Sequence, residues 1–125
     1  MRTPEQIAED LITAVTQGDM ALAQELYAPD AVLWQNTTAQ TVDVQRALRT
    51  IAWLYKTIQN LAYEDVQRQV WNTGFVQQHR MTGTTSAGKD LVVHACMVAT
   101  VRDGKLVEVR EYMDSRAFDV MREDR

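Results

Sequence analysis

Three side chains late in the chain are of the types that move protons: His79, His94 and Glu111. A carboxylate held among apolar neighbours loses hydration, which raises its pKa toward neutrality and suits it to general acid or base work. Imidazoles beside it can polarise a carbonyl, shuttle a proton or orient water. The stretch VREYMDSRAF, Val109 to Phe118, poses the question of placement, because an apolar strand-like run ends there in Arg110, Glu111 and Asp114. Glu111 and Asp114 are three residues apart, so a regular strand turns them to opposite faces. Asp114, or Ser115 after it, reads as the N-cap of a terminal helix that takes in Ala117 and Phe118. Glu111 is then the carboxylate left for the chemistry.

The elements that must position these groups are legible in outline. Thr3-Pro4-Glu5-Gln6 is a helix start, with Thr3 as N-cap, Pro4 in the first helical position and Gln6 closing a capping box. Ile7, Leu11, Ala14 and Val15 follow on one face, and Gly18 stops the helix. Asp19 caps a second short helix bearing Leu22 and Leu26, which Pro29 is expected to end. Ala31 to Asn36 is a short strand. A longer helix begins near Thr41 or Asp43, with a stripe of Val44, Leu48, Ile51, Tyr55 and Ile58. Trp53 lies off that stripe, at a cavity mouth or in solvent. After Asn60 the period changes to two, and four strands are predicted: Leu61–Trp71, Phe75–Gly83, Asp90–Arg102 and Leu106–Met113. Asn72-Thr73-Gly74, Ser86-Ala87-Gly88 and Asp103-Gly104 are their turns. Helices first and an antiparallel sheet afterwards predict one α+β domain over residues 1–125, helices packed on one sheet face.

Turn geometry then predicts register. A two-residue Asp103-Gly104 turn sets Arg102 opposite Lys105, which puts Glu111 opposite Cys96, Val109 opposite Val98 and Met113 opposite His94. A turn centred on Ser86-Ala87 puts His79 opposite His94 and Gln77 opposite Cys96; a four- or five-residue loop there would change this. On that register one face gathers Gln77, His79, Met81, His94, Cys96, Val98, Val107, Val109, Glu111 and Met113. The other carries Arg80, Val93, Ala95, Met97, Ala99, Val101, Leu106, Arg110 and Tyr112. Helices cover one face only, so the second, small and flat between Val93 and Val101, is expected to pair with another copy in a homodimer.

Competing readings accompany these residues. Glu111 is a catalytic acid or base, or half of a buried pair with a histidine. His79 and His94 are functional or a satisfied cross-strand pair. Two histidines and a carboxylate also make up a candidate facial metal triad, although Glu111 is diagonal to His94 and remote from His79 in this register. Cys96 beside a carboxylate is a small buried hydrophobe and a poor nucleophile. Trp34 is a core residue or a wall for a ring-shaped substrate.

Composition bounds the partners. A net charge of −4 without a Lys/Arg cluster argues against nucleic acid. No apolar run approaches the roughly 18 residues of a membrane span, and MRTPEQIAED lacks a signal-peptide core. A single cysteine gives no internal disulfide. Cytoplasmic location is the expectation.

With GDMALAQELYAPDAVLWQN (Gly18–Asn36) and VRDGKLVEVREYMDS (Val101–Ser115), the chain resembles the nuclear transport factor 2-like superfamily over nearly its whole length. It is most similar to the branch of SnoaL-like polyketide cyclases, ketosteroid isomerase-like proteins and limonene epoxide hydrolases. The resemblance implies a cone-shaped roll: a curved, mostly antiparallel sheet wrapped by three helices around an apolar cavity, usually in a dimer. It implies that Glu111 is the inward carboxylate of the last strand. Asn36 matches the asparagine of the hydrolases' Tyr-x-Asn, with Trp34 in place of the tyrosine, and Gln77 and His79 stand where those enzymes carry Arg-x-Asp. That departure points away from epoxide hydrolysis. Paired inward histidines are similar to scytalone dehydratase.

The sequence therefore predicts a cofactor-independent enzyme of isomerase, lyase or hydrolase type acting on an apolar, cyclic, oxygenated metabolite. Glu111, His79 and His94 are its catalytic candidates. Trp34, Asn36, Gln77, Cys96, Val98, Val109 and Met113 are its candidate substrate contacts. The alternative is a non-catalytic small-molecule-binding or dimerisation module on the same fold.

Overall fold

The computed structural model describes residues 1–122. Helices α1 (Pro4–Gln17) and α2 (Met20–Leu26) lead into strand β1 (Tyr27–Gln35), a short strand β2 (Gln40–Val42) and helix α3 (Val44–Thr57). Four strands follow, β3 (Gln59–Trp71), β4 (Gly74–Thr84), β5 (Asp90–Arg102) and β6 (Lys105–Met113). A 3₁₀ turn at Ser115–Phe118 and a last helix, α4 (Asp119–Arg122), end the described chain.

Local chemistry sets the helix ends. The Thr3 hydroxyl accepts from the Gln6 amide at 3.2 Å while the Gln6 side chain accepts from the Thr3 amide at 2.9 Å. Two N–H groups that the helix leaves without partners are thereby satisfied. Gly18 closes α1 in the left-handed conformation, φ 65°, where a side chain would strike Tyr55. Asp19, Asp43 and Asp114 cap α2, α3 and the 3₁₀ turn, accepting from the Leu22, Arg46 and Arg116 amides respectively.

The six strands form one sheet in the order β2-β1-β6-β5-β4-β3, with β1 and β6 parallel and every other pair antiparallel. The helices pack on one face of it, and Leu33, Phe75, Leu91, Val93, Met97, Ala99, Leu106 and Val109 meet Ile7, Leu11, Leu26, Val44 and Ile51 there as one core. Each of these side chains larger than alanine contributes roughly 1.5–3 kcal/mol of burial. The expected α+β architecture is present. Additions to it are β2 and the start of β1 at Tyr27 rather than Ala31; α2 ends at Leu26 because Tyr27 already joins β1, and Pro29 lies within that strand instead of ending the helix.

Register departs from the expectation at two places. The loop between β4 and β5 runs from Thr85 to Lys89, closed by hydrogen bonds between Thr85 and Lys89 and between Gly88 and Thr85. This odd-numbered loop sets His79 opposite Ala95, Gln77 opposite Met97, and His94 opposite Arg80. The Asp103-Gly104 turn does join Arg102 to Lys105, with φ positive at both turn residues, as a tight hairpin requires. One step on, the ladder shifts: Val101 faces Leu106 but Thr100 faces Glu108, so Val107 is an extra, bulged residue. Glu111 therefore lies opposite Met97, not Cys96.

Beyond the bulge the two shifts cancel in β6, and β5 is left inverted. Gln77, His79, Met81, Val109, Glu111 and Met113 face the helices as expected. Val93, Ala95, Met97, Ala99 and Val101 also face inward, so the surface expected to dimerise is the floor of the core. His94, Cys96 and Val98 are on the outer face. Leu106, expected outside, is fully buried.

Candidate active site

Between the sheet, α1, α3 and the C-terminal turn lies a pocket of about 370 Å³, within the range of small-molecule sites. Leu11, Val15, Leu33, Ile51, Leu54 and Met97 make its walls apolar, and Trp53, half-exposed, stands at the opening with Phe118 and Arg122. Set into these walls are Tyr27, Gln35, Tyr63, His79 and Glu111.

Glu111 projects from β6 with β1 and β5 on either side, paired with Gln35 and with Met97. Such surface as it exposes faces the pocket. Loss of hydration raises its pKa above the ordinary carboxyl value, and a hydrogen bond from the Gln35 side chain works in the opposite direction. The Tyr27 and Tyr63 phenols are pushed up first by burial and then by the negative charge of Glu111. Both stay protonated and remain hydrogen-bond donors across the working range.

His79 is 6% exposed, and its ring stacks flat on Tyr63, with centroids 4.1 Å apart and planes within 10°. Burial lowers its pKa to about 4, so it is a neutral imidazole near pH 7. Its Nδ1 lies 3.1 Å from Nε2 of Gln77, whose Oε1 accepts from Arg68 Nε at 2.9 Å. Glu111 and His79 belong to strands two apart in the sheet, offset by one inward position. Strand spacing and rise put their Cα atoms about 12 Å apart, a span that a bicyclic molecule fills.

The remaining candidates lie elsewhere. His94 is exposed beside Arg80, in an outer-face cleft that also holds Cys96, Tyr112 and Asn36. With His94 on the opposite face from Glu111, the two-histidine, one-carboxylate triad does not assemble. Trp34 lies on the outer face against Tyr112, ring centroids 5.3 Å apart, with the Arg110 guanidinium 4.7 Å over its ring. The Asn36 amide is tied to the Met113 backbone by two hydrogen bonds, 3.0 and 2.9 Å, which fasten the chain after β1 to β6. Val98 pairs with Val76 and Arg110 outside. Val109 faces inward but is sealed in the core, Gln77 stands behind His79, and Met113 lines the pocket itself.

Tyr27, Gln35 and Tyr63 are pocket residues that sequence reasoning passed over. Trp34 and Asn36 alternate with Gln35, so choosing them for the interior excluded it. The buried Ala31 and Leu33 carry the opposite phase, which was visible in the strand. Tyr63 faces Met81 only because β3 shifts register between Glu64 and Gln67. Unbroken counting from the Asn72-Thr73 turn puts it on the other face.

Residues 8–109 match the SnoaL-like domain. The chain belongs to the SnoaL-like family. The SnoaL-like domain here has the ketosteroid isomerase-like, nuclear transport factor 2-like fold. Its backbone is similar to that of a candidate polyketide cyclase from Streptomyces antibioticus, at TM-score 0.79 and 20% identity, covering 96% of this chain and 98% of that one. A candidate isomerase from Bacillus subtilis has TM-score 0.81 at 16% identity, covering 98% and 94%. A candidate SnoaL-like polyketide cyclase from Jannaschia sp. CCS1 has TM-score 0.77 at 20% identity, covering 94% and 90%. At these identities the likeness is one of fold. No curated protein matches the chain.

Proposed function

We propose that this SnoaL-like protein is an acid–base enzyme for an apolar, cyclic, carbonyl-bearing metabolite, with Glu111 as the group that takes and returns a proton. The observation carrying this reading is a desolvated carboxyl that shares one apolar pocket with neutral hydrogen-bond donors. Glu111 removes a proton from the carbon next to the carbonyl, and the C–H electron pair moves into an enolate whose charge lies on oxygen. His79, Tyr27 and Tyr63 are the donors available to that oxygen, and in a dry pocket such hydrogen bonds count for more than in water. Return of the proton to a different carbon completes an isomerisation. Attack of the enolate on a second carbonyl, whose oxygen takes the proton back from Glu111, completes a cyclisation, and loss of a β-hydroxyl with that proton as water completes a dehydration. The similarity to candidate cyclases and an isomerase supports this class of chemistry without selecting a member of it.

The test is exchange of α-protons for deuterium in a panel of cyclic ketones and β-diketones, followed by NMR. Glu111→Gln is expected to remain folded and to slow exchange about 10²–10⁴-fold. Exchange by the folded variant at the wild-type rate overturns the proposal. Saturable ligand binding with no exchange by wild type favours a binding module.

We further propose that the outer sheet face pairs two copies of the chain. Val32, Trp71, Val92 and Tyr112, all 41–46% exposed, are apolar side chains on that face, and apolar side chains brought together on one face favour association.

A further inference from the structure

Behind the pocket, a row of side chains runs from α1 through two strands to His79. Glu5 on α1 accepts from Arg68 Nη1 at 2.8 Å, and Arg68 Nε donates to Gln77 Oε1 at 2.9 Å. Gln77 Nε2 then lies 3.1 Å from His79 Nδ1. Arg68 and Gln77 are paired across β3 and β4, and Gln77 is 2% exposed. Guanidinium has donors and no acceptor, so only the amide oxygen of Gln77 can face Arg68. Its NH₂ must then face the imidazole, and a donor pointed at Nδ1 needs a lone pair there.

We propose that Arg68 and Gln77 are positioning residues that hold His79 in the tautomer with Nδ1 bare and the proton on Nε2, making it a fixed neutral hydrogen-bond donor. The order of donors along the row dictates this, because each group's partner leaves the next only one role. Arg68 also polarises the Gln77 amide, which strengthens its donation to Nδ1 and makes the Nε2 proton a better donor. Tyr63 fixes the plane of the ring by stacking. Protonation of Nδ1 would set one N–H against another, so the row opposes the imidazolium in the same direction as burial does. The other titratable or charged groups around the ring are Tyr63 and Arg68 on β3, Tyr27 on β1 and Glu111 on β6, with Asp65, Arg80, His94, Cys96, Tyr112 and Asp114 in the outer-face cleft. The tautomer stands on hydrogen-bond geometry alone; its catalytic use rests on the reading of Glu111 above.

The experiment is ¹⁵N NMR of the imidazoles in the full-length protein, with His79 and His94 assigned separately. Wild type is expected to show one His79 tautomer, protonated at Nε2, from neutral pH to about pH 5. Gln77→Glu keeps the shape but replaces the NH₂ by an acceptor, so the proton should move to Nδ1 or the ring should become doubly protonated. Arg68→Met frees the amide to rotate and should give both tautomers. In the exchange assay, Gln77→Glu should lower kcat about 10²-fold with little change in KM. A wild-type Nδ1–H tautomer overturns the proposal even if neither variant folds. So does an Arg68→Met spectrum, from folded protein, identical to wild type. If the tautomer is as expected but folded Glu111→Gln exchanges normally, the row stands and the catalytic reading fails.

Discussion

Burial disfavours the charged form of both Glu111 and His79, and the two couple stability to pH with opposite signs. The folded pKa of His79, about 4, lies below its unfolded value of 6.5. Between those values the unfolded chain binds a proton that the folded protein refuses. The contribution is therefore whole above pH 6.5 and lost as pH falls through about 4, on the order of 3 kcal/mol in total. His79→Phe keeps a ring against Tyr63 and should flatten this acid limb, read as urea midpoints at neutral pH and at about pH 5. Glu111 behaves in reverse. Its folded pKa is raised, so its contribution is complete below the ordinary carboxyl pKa and is lost as pH rises through the folded value. Glu111→Gln should raise the melting temperature at neutral pH while slowing proton exchange, and a lower melting temperature would contradict the desolvation argument. Gain of stability on loss of function is what a carboxylate kept in an apolar pocket for chemistry predicts.

At the scale of elements, hairpin β5–β6 decides which way Glu111 looks. Its turn was readable from Asp103-Gly104, since two successive positive φ values suit Asp and Gly and little else. Gly104→Ala should cost about 1–2 kcal/mol. The new methyl enters at φ 74°, 2.5 Å from the Met1 side chain and 3.2 Å from the Arg2 amide. Chemical denaturation measures this, and an unchanged midpoint would mean that the turn relaxes. The bulge at Val107 was not readable. No residue type marks it, and it arises where β6 leaves the turn and takes up parallel pairing with β1. The caps at Thr3 and Asp19 were legible, and those at Asp43 and Asp114 to within two residues, because each depends only on neighbours within three residues. Thr3→Ala should lower stability by about 1 kcal/mol, with the same denaturation experiment as its check.

At the scale of the whole molecule, the helices seal one sheet face around the pocket and leave the other to solvent or a second copy. Among the described residues no helix is long and apolar enough to cross a membrane. If two outer faces pair, Val92→Glu with Tyr112→Glu should convert a dimer into a monomer in sedimentation velocity while leaving the pocket's exchange activity in place. A wild-type monomer at high micromolar concentration would remove that interface. The sequence by itself determined the first helices and their caps, the change from period 3.6 to period 2 after Asn60, the Asp-Gly hairpin, and the inward sets of β4 and of β6 from Val109 onward. Only the tertiary structure decided that β5 turns His94 and Cys96 outward, that Gln35 rather than Trp34 reaches Glu111, and that Tyr63 lies on His79. Alternation is a local property of an extended backbone and fixes which residues travel together. Its phase depends on one residue more or less in a loop or bulge, and packing across the sheet selects that residue.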